Sequence, residues 1–177
     1  MTADPVGPLH LVFMGVSGSG KSTAARAVQE RLGWAYAEGD DFHPEANVAK
    51  MRDGIPLTDA DRWGWLESLA DWTAERDARG EPTIITCSAL RRSYREVLRR
   101  GGEGTFFVHS TGDKHMILDR MSSRDHFMPP SLLESQLDTL EPLHPDERGM
   151  DVDPALPVDR IAALVLARLG LEADGAR

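Results

Sequence analysis

The chain has one cysteine, Cys87, among 177 residues, so it cannot form an internal disulfide. A fold held by cross-links is therefore excluded, and a lone thiol fits a reducing compartment, the cytoplasm. Cationic charge is also scarce: 20 Lys and Arg against 29 Asp and Glu leave a formal charge of −9. That balance argues against duplex DNA or RNA as a partner, because nucleic acid is drawn to basic surface. A small anion remains admissible, since a few Arg and Lys gathered at one site can hold it. No apolar run approaches the ~20 residues that cross a bilayer, and residues 1–8 carry no Lys or Arg with which a secretion signal would begin. The Cys and His residues lack zinc spacing, and there is no internal repeat or low-complexity tract. These absences leave one cytosolic domain, expected over residues 9–171, with flexible ends at 1–8 and 172–177.

What is present alternates between strand and helix patterns. Residues 9–14 form a short apolar run stopped by Gly15, a buried strand, and helix formers follow from Lys21 to Leu32 with Ala24, Ala27, Val28 and Leu32 at helical spacing. Residues 34–37, 82–87 and 105–109 read as further strands. Thr58 and Asp61, three apart, can cap a helix start, after which Trp63, Leu66, Leu69 and Trp72 make an apolar stripe. Residues 91–100 form a basic helix, two more helical segments flank 124–130, and Val158, Ile161, Ala162, Val165, Leu166 and Leu169 make a closing helix. The expected class is α/β, a parallel sheet with helices on both faces.

Gly15-Val16-Ser17-Gly18-Ser19-Gly20-Lys21-Ser22 matches GxxxxGK(S/T) without mismatch, after a strand and opening a helix. Glycines let the backbone curl so that N–H groups converge on phosphate oxygens, and the helix N-terminus adds positive potential. Lys21 supplies a mobile charge for the β- and γ-phosphates, the Ser22 hydroxyl can ligate Mg²⁺, and Thr23 continues the helix. ATP binding is expected, and the motif leaves the acceptor open.

A kinase also needs a carboxylate beside the acceptor hydroxyl, at the carboxyl edge of the sheet. Glu38, Asp40 and Asp41 follow the second strand and meet that need, although such a cluster can also be a solvated turn. Beyond it come His43-Pro44, Asn47, Lys50-Met51, Gly54, Pro56-Leu57, Asp59 and Asp61-Arg62. Later blocks are Cys87-Ser88-Ala89-Leu90 with Tyr94-Arg95, His126-Phe127-Met128, Ser135-Gln136 and Thr139-Leu140-Glu141-Pro142.

In these blocks and their order, from about Leu11 to Pro142, the chain resembles the gluconokinase family. The resemblance implies a P-loop fold shared with nucleoside monophosphate and shikimate kinases, a five-stranded parallel sheet and a helical lid at about 120–132. It implies transfer of the ATP γ-phosphate to the 6-hydroxyl of D-gluconate. Asp40 would then act as base and acceptor contact, with Glu38 helping to hold Mg²⁺. His43, Asn47, Lys50, Arg62, Arg95, His126 and Gln136 would serve the acceptor, Arg120 would pack on adenine, and Arg124 would reach the phosphates. Arg62 can grip a carboxylate bidentately or pair with Asp59 or Asp61, and Lys50 can be an ordinary solvated charge; both readings stay open. Cys87 is assigned to packing, Trp63, Trp65 and Trp72 to core or interface, and a homodimer is admissible. Two other readings compete: a shikimate or nucleoside monophosphate kinase of the same fold, and a nucleotide-binding regulator without turnover.

Overall fold

The computed structural model describes residues 7–122 and 131–171. Arg124, His126 and most of the expected lid lie outside the described residues. Five strands form one sheet in the order β2-β3-β1-β4-β5: β1 (His10–Met14), β2 (Ala35–Glu38), β3 (Thr83–Thr86), β4 (Thr105–Ser110) and β5 (Gly149–Val152). Every pairing is parallel.

Successive side chains of a strand point to opposite faces, so register decides which rows meet. Leu11 lies beside Ile84 and Phe106, and this row packs against α1 (Lys21–Leu32) and α7 (Val158–Arg168) through Ala25, Val28, Ala162 and Val165. Val12 lies beside Ile85 and Phe107. That row meets α3 (Asp59–Asp77) and α4 (Arg92–Arg99) through Trp65, Leu66, Leu69, Tyr94 and Leu98. With helices on both faces, all five residues of β1 are buried, which is why four of them in succession, Leu11 to Met14, are apolar. Each such side chain contributes roughly 1.5–3 kcal/mol on burial, and Phe13→Ala would destabilise by about 3–5 kcal/mol.

Local signals set several boundaries. The structure gives α1 the bounds expected from its helix formers. The start of α3 carries the expected capping box: Asp61 N–H donates to Thr58 Oγ1 (3.2 Å), and Thr58 N–H donates to the Asp61 carboxylate (2.9 Å). Helices α5 (Lys114–Ser122) and α6 (Ser131–Thr139) are the two segments expected around 124–130.

Three elements were not anticipated from local pattern. The edge strand β5 has the sequence GMDV with only Val152 buried, so it has no apolar signature. The 3₁₀ turn Gly39–Phe42 and the short helix α2 (Glu45–Arg52) bury one and two residues respectively, too few for a periodic stripe. Both lie between β2 and α3, where the acidic cluster was expected. The connections that leave the carboxyl ends of β1 and β3 run in opposite directions, the first to β2 beyond β3 and the second to β4 on the other side of β1. Such a switch point forms a crevice.

Candidate active site

The Gly15–Ser22 loop joins β1 to α1. Gly15 N–H donates to Ser88 O (3.2 Å), Ser19 N–H to Val16 O (3.2 Å), and the Lys21 ammonium to Val16 O (3.1 Å). Gly20 opens the helix at φ +87, a left-handed conformation that a Cβ would strain. The Ser19 hydroxyl is buried inside the loop and has no hydrogen-bond partner among the described residues. Ser17, Gly18, Gly20, Lys21, Ser22 and Thr23 line a recess of about 570 Å³ whose opposite wall is Glu38, Asp40, Thr86 and Cys87.

That opposite wall hangs on Gly39. A Cβ there would stand 2.0 Å from Thr86 O, so only glycine lets β2 end this close to β3. Gly39 N–H donates to Thr86 Oγ1 (3.2 Å), and Trp65 Nε1 donates to Gly39 O (2.7 Å). The clasp sets Glu38 and Asp40 on either side of it. Glu38 accepts from Ser22 Oγ (3.0 Å), from Thr86 Oγ1 (2.6 Å) and from the Tyr36 hydroxyl. Burial works to raise its pKa, but the hydrogen bonds from Thr86, Tyr36 and Ser22 outweigh burial, and the group stays below the ordinary carboxylate value.

Asp40 behaves in the opposite way. Its side-chain surface is 60% open to the recess, yet the surrounding protein is close enough that burial is the largest influence and raises its pKa, with Lys21 pulling it back. Lys21 mirrors this: burial lowers the ammonium, and Asp40 raises it. Two carboxylates two residues apart are thus driven in opposite directions, one toward a permanent anion and one toward a proton acceptor.

A second recess, of about 600 Å³, lies on the far side of Asp40. Ser17, Lys21 and Asp40 line it as well, so these three stand between the two spaces. Its remaining walls include His43, Arg62, Trp65, Ser88, Leu90, Ser135 and Gln136. Arg62 donates to the Tyr94 hydroxyl (2.8 Å) and stands 3.8 Å from Asp59, so it is anchored at one edge while still lining the recess. Gln136 accepts from Ser17 N–H (2.6 Å) and thereby ties α6 to the phosphate loop. His43 stacks on Trp65 with ring centroids 4.0 Å apart. Trp65, assigned to core or interface from sequence, therefore also forms a wall of the recess.

A third recess, of about 640 Å³, adjoins the phosphate loop on its other flank and shares Gly18, Gly20 and Thr23 with it. Its further lining includes Ser110, Arg120, Pro154, Leu156, Val158 and Ile161. Arg120 donates to Pro154 O (2.6 Å), and its guanidinium lies 3.3 Å from where a Cβ on Gly20 would be. Leu156 and Val158, two of the few large apolar side chains left exposed, both belong to this recess.

The structure places three of the expected acceptor residues outside the lining of the second recess. Arg95 is fully buried on α4. It donates to both Glu147 carboxylate oxygens (2.7 and 3.0 Å) and to the carbonyls of Ala89, Glu141 and Pro142. With its donors committed, it cannot meet a substrate. Burial works to raise the Glu147 carboxyl, but Arg95 and the other donors bring it down to about 2. Ala89, whose carbonyl Arg95 holds, has φ +45, a strained conformation for a residue with a Cβ. Lys50 is bound to the Asp61 carboxylate (2.9 and 3.0 Å), and Asn47 is buried against Asp61 O and His43. Neither lines the second recess. Charge and motif had suggested contact with substrate; distant partners absorb all three instead. Buried Cys87 has its thiol pushed up to about 12 by burial, in keeping with packing.

The doubly covered parallel sheet, the loop at its switch point and the acid facing that loop across Lys21 define a P-loop kinase. The family model described as "AAA domain" matches residues 11–111. A gluconokinase of Gluconobacter oxydans (strain 621H) is 52% identical over 141 residues, 79% of each chain. The chain belongs to the gluconokinase family. A gluconokinase structure from Sinorhizobium meliloti 1021 matches with TM-score 0.80 and 47% identity over 92% of this chain and 93% of that one. An unliganded sugar kinase from Janibacter sp. HTCC2649 matches with TM-score 0.90 and 51% identity over 93% and 96%.

Proposed function

We propose that this chain is a gluconokinase, transferring the γ-phosphoryl group of ATP to the 6-hydroxyl of D-gluconate to give 6-phospho-D-gluconate and ADP. The observation that carries the reading is the shared wall: Lys21 and Asp40 line both the phosphate recess and the acceptor recess. The triphosphate lies along the Gly15–Ser22 loop, with Lys21 at the transferring group. The adenine ring occupies the third recess, against Arg120, Leu156 and Val158. Asp40 takes the proton of the acceptor alcohol as its oxygen bonds to the γ-phosphorus and the bridge to ADP breaks. Its raised pKa suits that duty. Arg62 serves the carboxylate end of the sugar acid, where a planar fork matches two oxygens.

Ser22 and Glu38 offer two hard oxygen donors, one of them a carboxylate kept ionised by its hydrogen bonds, which fits Mg²⁺. Among the described residues no set of three or more His, Cys, Asp or Glu could hold a metal alone. That agrees with an ion carried mainly by substrate phosphates, where it would neutralise charge on the transferring group. A cytoplasmic location belongs to the same proposal. Among the described residues no helix is long and apolar enough to cross a membrane.

The test is ADP release measured with gluconate, shikimate, AMP and glycerate in parallel. Gluconate is expected to give the highest kcat/KM. Equal or greater turnover of shikimate or AMP would overturn the acceptor assignment, and ATP binding without transfer to any of them would make the chain a non-catalytic binder.

A further inference from the structure

A polar chain runs up to the acceptor recess at His43, and its proton positions follow from its partners. Asn47 is 3% exposed, and its Nδ2 lies 2.8 Å from the backbone carbonyl oxygen of Asp61. A carbonyl only accepts, so the carboxamide must present its nitrogen there, and its orientation is determined. The same nitrogen lies 3.3 Å from His43 Nδ1. It has a second N–H to give, so Nδ1 is the acceptor and carries no proton. A neutral imidazole has one N–H, which must then sit on Nε2. The ring stays neutral because burial, reinforced by Arg62, lowers its pKa to about 4. The His43 side chain is 3% exposed and stacked on Trp65, and Lys50 secures the Asp61 side chain. Little in this chain can rearrange.

His43 Nε2 faces Asp40 Oδ1 across 4.0 Å. That gap is too long for a direct hydrogen bond. It suits one bridging hydroxyl: an oxygen at about 2.8 Å from each partner would see them at roughly a right angle.

We propose that His43, locked as the Nε2–H tautomer by Asn47, orients the acceptor alcohol by donating to its oxygen while that alcohol donates to Asp40. The inference rests on Asp40 being the acceptor's partner, as proposed above. One lone pair of the oxygen is engaged by His43 and the proton is directed at Asp40, so the remaining lone pair is free for phosphorus. The site thereby selects an atom that both accepts and donates. An alcohol does both; an alkylammonium has no lone pair with which to accept. Asn47 is a positioning residue, acting only through His43.

Two substitutions at one position separate hydrogen bonding from packing. His43→Phe keeps an aromatic ring on Trp65 without a donor, and His43→Gln restores an N–H near the place of Nε2. With gluconate, kcat is expected to fall on the order of 10²-fold in His43→Phe and to recover to within about tenfold of wild type in His43→Gln, with the Kd for ATP unchanged in both. Wild-type kcat in His43→Phe, or no recovery in His43→Gln, would overturn the proposal. A ¹⁵N spectrum of the wild-type imidazole near neutral pH reads the tautomer directly: a protonated Nε2 supports the lock, and a protonated Nδ1 breaks it even if a variant fails to fold. Failure of the wild-type protein to phosphorylate any sugar acid would sink the acceptor reading. A working wild type with an equally active His43→Phe would sink only this inference.

Discussion

The phosphate loop lends Ser17 and Lys21 to the acceptor recess, yet the two are built in different ways. The loop is one contiguous run, Gly15–Ser22, whose geometry is backbone geometry. The recess draws Asp40 and His43 from around the 3₁₀ turn, Arg62 and Trp65 from α3, Ser88 and Leu90 from the loop after β3, and Ser135 and Gln136 from α6. A local device keeps its geometry whatever the acceptor. A composite one can change its acceptor by changing any wall.

The contrast can be broken at its strongest point first. Lys21→Ala removes charge from the transferring group whatever the acceptor, and is expected to lower kcat about 10³-fold with every sugar acid tested. A loss confined to gluconate would place Lys21 in the recess instead. Arg95→Met leaves the buried Glu147 carboxylate with Arg99 as its remaining ion-pair partner among the described residues, and should cost about 3 kcal/mol of stability in urea unfolding. Its folded fraction should keep a near-normal KM for gluconate, whereas a large rise in KM would return Arg95 to the substrate. Asp40→Asn is expected to lower kcat on the order of 10²-fold, the low end for a general base, because a loose phosphoryl transition state needs little early proton removal. ATP affinity should be nearly intact, and a wild-type kcat would remove Asp40 from the base role.

Smaller effects sharpen the comparison. Arg62→Lys keeps the charge and loses the fork, so the gluconate KM is expected to rise about tenfold, roughly 1.4 kcal/mol, with ATP KM unchanged. The smallest effect is a slope. His43 titrates near 4 in the folded chain against an ordinary value of 6.5. Between those values the unfolded chain binds more protons, so the contribution is fully present above 6.5 and is lost as pH falls toward 4. Urea midpoints for His43→Phe should vary less over that window than those of the wild type; an unchanged slope would mean that His43 is not held neutral.

Legibility followed locality. The P-loop, α1 and the Thr58–Asp61 box depend on residues within a few positions of one another, and all three were readable before any tertiary contact was known. Strand β5 was not, because its place comes from pairing Phe107 with Gly149 rather than from any apolar pattern of its own. Arg95 misled for a related reason. A basic residue on a basic helix reads as available to an anion, and its neutralising partner, Glu147, comes from 52 positions further on. Asn47 and Lys50 belong to the same motif as His43, but both are bonded to Asp61 and neither lines the recess.

By itself the sequence determined a nucleotide cradle, an alternating α/β order and a family, since each is written in short-range spacing or in the order of blocks along the chain. Only the tertiary structure decided which polar groups remain free to act. That freedom depends on whether a partner arrives from elsewhere: Glu147 takes Arg95 out of play, while the 4.0 Å gap between His43 and Asp40 is left open.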